Sequence, residues 1–232
     1  MIEVAQLDTE PEPCPYLPGR EARTRYQLVA DLLPSEYDEK LEKGWRRFGS
    51  ILFSPLCSGC SECLSIRVPV DRFEPSRSQR RVLRKNSDLR VEVGEPRIDE
   101  ERLDLYRGHH TDREARRDWP SATMSAEEYY ESFCFNAVST LEFCYRIDER
   151  LVAVAYVGEA ERSLNSIYAF IDPDFPRRSL GVFDVLCEIE EARRLGKRYL
   201  YLGYYVNGCK SMEYKAAYRP YELLAPEGWR AT

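Results

Sequence analysis

The 232-residue chain, of 27.1 kDa and formal net charge −6, is long enough to fold around its own core without disulfide support. Its 43% hydrophobic residues lie in the globular range and no apolar run reaches membrane-spanning length, which excludes a helical membrane protein and a disordered chain. An acidic total also excludes a protein that coats nucleic acid across a whole face.

Residues 1–20 are acidic and proline-rich, so they are extended and hold Cys14 in a stiff loop. They lack the basic and apolar regions of a secretory signal. The expectation is a cytoplasmic protein whose eight cysteines are thiols or metal ligands rather than bridges. Pro34-Ser35 opens a helix that ends at Gly44, and 45–53 and 64–70 read as strands. Ser76 with Gln79 forms a capping box for a helix to about Asn86. A polar helix spans 99–117 and ends before Trp119-Pro120, and Ser125 with Glu128 caps another. Three strand-like runs follow at 141–147, 151–158 and 164–171. An amphipathic helix over 179–195 stops at Gly196, and a tyrosine-rich strand spans 198–206. A short helix at 211–217 and a strand at 221–224 complete the pattern.

Two signals stand apart from this framework. Cys57, Cys60 and Cys63 repeat at two-residue spacing and, with Cys14, supply four soft ligands of the kind that suits zinc or an iron–sulfur cluster. Unliganded buried thiols give the same pattern. Immediately after them, residues 67–90 carry eight basic and three acidic side chains, a local excess of five positive charges in an acidic protein. The helix over 76–86 presents Arg77, Arg80, Arg81 and Arg84, which suit either a solvated face or the phosphates and 2′-hydroxyls of an A-form RNA stem.

The strand, strand, strand, helix, strand order of 141–206 is that of a GNAT-type acyltransferase. Within it and before it lie Gly44-Trp45-Arg46-Arg47, the cysteine triplet leading to Ile66-Arg67-Val68-Pro69-Val70, and Phe73-Glu74-Pro75-Ser76-Arg77. Further on come Tyr168 to Pro173, Ser179-Leu180-Gly181, Tyr201-Leu202-Gly203-Tyr204, Cys209 to Lys215, and Arg219-Pro220-Tyr221-Glu222. Over about residues 14–224 the chain resembles the aminoacyl-tRNA–protein transferases of the arginyltransferase family, and in length their bacterial leucyltransferase branch. The resemblance implies transfer of an amino acid, leucine or arginine, from charged tRNA to the α-amine of proteins beginning with Asp or Glu, feeding N-end-rule degradation. It implies that no cofactor is required for the chemistry. The family's eukaryotic members have a cluster-binding cysteine set with an adjacent pair that is absent here.

The expected organisation is an α/β protein with an N-terminal Cys-rich basic module over 1–96 and a GNAT-like transferase domain over 97–232. Recognition of an acidic first residue calls for cations, with Arg46, Arg47, Arg67 and Lys215 as candidates. Tyr204 and Tyr214 are candidates to protonate the leaving ribose hydroxyl, and Asp172 to orient the amine. Ser179 and Gly181 open the helix expected to face the tRNA terminus, although Gly181 equally suits close packing. His109 and His110 are neighbours on one helix and point apart, so catalysis proceeds without an imidazole pair. Two competing readings use the same residues, a coenzyme A-dependent acetyltransferase and a non-catalytic metal-dependent RNA-binding module.

Overall fold

The structure, a computed structural model, describes residues 1–117 and 123–232; the break expected at Trp119-Pro120 lies outside them. The chain opens with β1 (Ile2–Asp8), the short pair β2 (Glu12–Pro13) and β3 (Glu21–Ala22), and β4 (Thr24–Asp31). α1 (Pro34–Glu42) starts on a proline, where the missing N–H has no helical partner to lose, and stops before Gly44, whose φ of +84° favours glycine. The stretch expected as one strand over 45–53 is a hairpin of β5 (Arg46–Phe48) and β6 (Ile51–Pro55). These strands form a four-stranded sheet in the order β1-β4-β6-β5.

β7 (Leu64–Pro69) leads to α2 (Arg77–Lys85), whose Ser76–Gln79 capping box is formed in both directions. Then follow β8 (Arg90–Gly94), α3 (Glu100–Arg117) and α4 (Ala126–Tyr129). The expected run of strands is β9 (Thr140–Ile147), β10 (Arg150–Glu159) and β11 (Ser163–Ile171), followed by α5 (Leu180–Arg194) and β12 (Tyr199–Tyr205). α6 (Lys210–Glu213), a 3-10 turn over Tyr214–Ala217, β13 (Glu222–Ala225) and β14 (Gly228–Ala231) finish the chain. The eight strands outside the first sheet and the β2–β3 pair form one sheet in the order β14-β13-β7-β12-β11-β10-β9-β8. The boundary expected at residue 96 runs through it, because β7 and β8 precede that point and β7 lies between β12 and β13.

Both faces of the large sheet are covered, so β10 reads as an almost unbroken apolar run from Leu151 to Val157. One face packs on α5 through Leu180, Phe183, Leu186 and Ile189, with Phe73 and Tyr218 beside them. The other meets Leu103 and Tyr106 of α3 and Tyr129 of α4. The smaller sheet joins the larger through Val29, Leu52, Tyr37 and Tyr201.

A buried ion pair fixes α3 to the sheet. Arg102, 0% exposed, donates to Glu142 of β9 at 2.7 Å, and Tyr156 donates to the same carboxylate at 3.0 Å. Removing one member of such a pair leaves its partner charged in a dry site. Glu142→Ala is therefore expected to cost about 3–5 kcal/mol, read as a lower urea midpoint; a variant within about 1 kcal/mol of wild type would show that Asp99 alone satisfies Arg102.

Candidate active site

Gly203 interrupts β12. Its φ of +88° favours glycine, and the ladder between β12 and β7 shifts register between Tyr201 and Tyr204. On the other side, β11 and β12 run parallel with only three residue pairs in register, Ser163–Tyr199 to Asn165–Tyr201. The carbonyls of Gly203 and Tyr204 therefore accept from side chains. Arg46 donates to Gly203 O at 3.0 Å and to Trp45 O at 2.7 Å, and Lys215 Nζ donates to Tyr204 O at 2.7 Å.

Both cations are buried, at 3% and 8% exposure, and neither has a carboxylate partner among the described residues. The Arg46 Nε is buried without any hydrogen-bond partner, and its guanidinium lies 5.3 Å and 5.2 Å from the Tyr201 and Tyr204 ring centres. Burial lowers the Arg46 pKa, and burial together with the Arg46 charge brings Lys215 down to about 8. A second charge-assisted acceptor would relieve both groups, and a carboxylate matches a guanidinium fork beside an ammonium.

The other two expected acceptor arginines differ from each other. Arg67 donates to Glu222 at 2.8 Å and lies between the Tyr199 and Trp229 rings at 3.7 and 3.9 Å. It joins β7 to β13 and has no free fork. Arg47 resembles Arg46 in being buried with no carboxylate partner and an unpartnered Nε among the described residues, but it lies away from Lys215's acceptor strand: its Nη atoms donate to Gly49 O and Asn136 Oδ1 at 2.6 Å and to Thr140 Oγ1 at 2.7 Å.

Tyr204 donates its hydroxyl to Gly44 O at 2.9 Å, and burial holds the phenol well above its ordinary pKa. Tyr214 follows α6 next to Lys215 with 53% of its surface exposed, and partial desolvation with the nearby Glu188 and Asp184 raises its phenol above the ordinary value. Asp172 pairs with Arg150 at 2.6 Å and accepts from the Asp174 amide at 2.9 Å, so it caps the turn after β11. His109, held neutral by burial with a pKa of about 4, faces the Ile171 backbone at 3.0 Å.

Arg77, Arg80, Arg81 and Arg84 are all exposed on α2 and none forms an ion pair within the described residues. The C-terminal end of α2 meets the turn before α5: Lys85 donates to Arg177 O, Asn86 donates to Arg178 O at 2.9 Å, and Arg178 pairs with Asp88 at 2.7 Å. The arginine helix and the start of α5 are thus one continuous surface. Ser179 is left-handed at φ +56° and makes no side-chain cap. A Cβ on Gly181 would meet Ile171 Cδ1 at 3.4 Å, so this glycine also sets how closely α5 packs on β11.

Cys14, Cys57, Cys60 and Cys63 converge on one cavity of about 200 Å³ that Tyr16 and Tyr204 also line. All four are free and half-buried. Burial and the neighbouring thiols push Cys63 up to about 12. The Leu17 amide and the Arg20 guanidinium donate to the Cys14 and Cys60 sulfurs at 3.4 and 3.3 Å. Among the described residues no three His, Cys, Asp or Glu side chains are grouped to hold one ion, so the thiols share a cavity without forming a ligating set.

Three features escaped the sequence reading. Cys209 is buried near Cys63 and Lys215 and so connects the thiol cavity to the cation pair, although its motif alone marked it. Glu222 locks Arg67. Asp184 and Glu188 are buried on α5, at positions where an amphipathic pattern would place apolar residues; an acid four residues from another on the apolar stripe was the available signal.

The protein is a mixed α/β fold that carries a buried Arg46–Lys215 cation pair and an exposed arginine-rich helix. The arginine-tRNA-protein transferase C-terminal profile matches residues 101–225 and the N-terminal profile residues 12–81. An aspartate/glutamate leucyltransferase from Campylobacter jejuni is 36% identical over 97% of this chain and 94% of its own length. One from Pseudomonas paraeruginosa is 37% identical, covering 100% of this chain and 99% of that protein. The chain belongs to the arginine-tRNA-protein transferase family. Among solved structures, L-PGS from Bacillus licheniformis shares the fold with a TM-score of 0.52 at 13% identity, over 83% of this chain and 61% of that one. No described helix is long and apolar enough to cross a membrane.

Because Lys215 is charged below about pH 8 and neutral above it, dicarboxylate binding should be strongest at neutral pH and fall as pH rises through that value. Succinate, which has no amine to titrate, is expected to lose about tenfold in affinity between pH 7 and 9.5 by calorimetry, the equivalent of one charge-assisted hydrogen bond. A flat profile would remove Lys215 from the pocket.

Proposed function

We propose that this protein is a GNAT-type aminoacyltransferase that moves leucine from charged tRNA to the α-amine of proteins beginning with Asp or Glu, marking them for N-end-rule degradation in the cytoplasm. The observation that carries this reading is the buried Arg46–Lys215 pair without a counter-ion. An acidic first side chain completes it, and a neutral one would leave both cations dry and unpaired. The names of the relatives supply the reaction class and the donor.

Aminolysis of the ester needs a neutral amine, and an α-amine titrates near about 7.7–8.0, so placement contributes more than proton abstraction. The acceptor is held by its carboxylate at Arg46 and Lys215, which fixes its amine one residue's length away. Tyr214, half-exposed and kept protonated at neutral pH, is positioned beside Lys215 to donate to the leaving ribose oxygen. Tyr204 serves instead to hold Gly44 and the Arg46 strand together. Arg77, Arg80, Arg81 and Arg84 of the basic α2, with Ser179 and Gly181 at the start of α5, form the tRNA surface. Cys14, Cys57, Cys60 and Cys63 would supply the thiolates of a zinc or iron–sulfur site only by drawing closer within their shared cavity, since they are not grouped as a ligand set among the described residues. No reaction step passes through it.

Leucyl-tRNA with peptides starting in Asp, Glu or Ala tests the assignment. Transfer to the first two and not the third is expected, and Arg46→Met should lower kcat/KM for the acidic peptides by roughly two orders of magnitude, the cost of leaving a charge unpaired. Equal transfer to the Ala peptide would remove the cation pair from recognition. Arg80→Ala with Arg81→Ala should weaken tRNA binding and reduce the slope of log affinity against log salt by about 2. An unaltered slope would place the tRNA elsewhere.

A further inference from the structure

Two carboxyl groups lie one turn apart on the buried face of α5, outside the acceptor pocket. Glu188 is 0% exposed; one oxygen accepts from Ser166 Oγ at 3.0 Å, and the other, Oε2, is buried with no hydrogen-bond partner among the described residues. Asp184 accepts from the Tyr145 hydroxyl at 2.6 Å. No lysine or arginine pairs with either acid among the described residues. The Tyr218 hydroxyl, influenced by both acids, is also buried and unpartnered.

Their position in the fold gives this arrangement meaning. Asn165 is the last residue of β11 in register with β12, so Ser166, the Glu188 partner, stands where the two parallel strands part. Tyr214, the phenol assigned to the leaving group above, is within the electrostatic influence of both carboxyls. A buried acid with a spare oxygen where two strands part calls for a donor-rich cation.

We propose that Glu188, supported by Asp184, binds a cationic nitrogen of the aminoacyl donor, either the α-ammonium that every aminoacyl ester carries or the cation of a basic donor side chain. This rests on the transferase reading above. Burial raises both acids, Asp184 to about 7, so the empty pair retains a proton at neutral pH. A neutral donor amine takes that proton, its new N–H bond forming as the carboxyl O–H breaks; an ammonium releases it to solvent. Either way the site ends as an ammonium–carboxylate pair. An amine blocked by acylation can do neither, so a site that holds the α-ammonium rejects N-acylated donors, whereas one that holds a side-chain cation accepts them.

Glu188→Gln keeps the size of the side chain and removes a buried acid, so it should melt at or above the wild-type temperature. Thermal shift with amino-acid methyl esters at millimolar concentration tests binding without requiring catalysis. Leucine methyl ester should raise the wild-type melting temperature, N-acetyl-leucine methyl ester should not, and Glu188→Gln should respond to neither. A rise with N-acetyl-arginine methyl ester but not leucine methyl ester assigns the side-chain cation instead. No rise with any ester, a rise with N-acetyl-leucine methyl ester, or equal responses of wild type and variant overturns the proposal. In the transfer assay, Glu188→Gln should lose about tenfold or more in kcat/KM for the donor with the acceptor KM unchanged. Wild-type protein that binds the esters but transfers from no aminoacyl-tRNA would overturn the transferase reading and leave the carboxyl site standing.

Discussion

The constraint on which the site depends is the short association of β11 with β12. Two parallel strands that stay in register for only three residue pairs leave the rest of β12 without a ladder on that side. The positive φ of Gly203 then turns the backbone away from β7 as well. A strand released on both sides must satisfy its carbonyls by other means. Here Arg46 and Lys215 do so, and because a carbonyl is a neutral acceptor, their charges are left without neutralisation. The divergence thus creates the cation pocket and opens the apex at Ser166 in one step.

The buried charges of this protein fall into two kinds. Arg102 with Glu142 and Arg67 with Glu222 are matched pairs, and each joins an element to the large sheet. Arg46, Arg47 and Lys215 have no counter-ion among the described residues, and neither has the Glu188 carboxyl, which burial raises. Their desolvation is opposed by the stability of the rest of the fold rather than by a counter-ion of their own. Matched pairs join elements, and of the unmatched groups Arg46, Lys215 and Glu188 lie where β12 leaves its neighbours, whereas Arg47 is held by Gly49, Asn136 and Thr140.

Much of the framework was legible in the sequence. The Ser76–Gln79 and Ser125–Glu128 boxes fixed two helix starts, Gly196 ended α5, and the strands of 140–171 had only to be apolar and separated by turns. Other elements were illegible for physical reasons. β8, the edge strand Arg90–Gly94, carries charge on its exposed face and looks like linker, while β5 and β6 merge into one pattern because the turn at Gly49 interrupts no polarity signal. The same holds within the site. Arg46, Arg47 and Arg67 are equivalent as letters, and only the position of Glu222, more than a hundred residues on, distinguishes the satisfied arginine from the unsatisfied one. Gly203 in a run of tyrosines was visible, but its bulge follows from pairing that no local pattern encodes.

The sheet order has a consequence for how the protein comes into being. β7, from the first third of the chain, is flanked by β12 and β13, from its last third. During synthesis β7 must wait, unpaired on both edges, until residues 199–225 have left the ribosome. Arg46 waits with it, since the Gly203 carbonyl that holds it is made as late. A partially made chain therefore presents neither a closed sheet nor the buried arrangement of Arg46 and Lys215 before its own synthesis has passed β13.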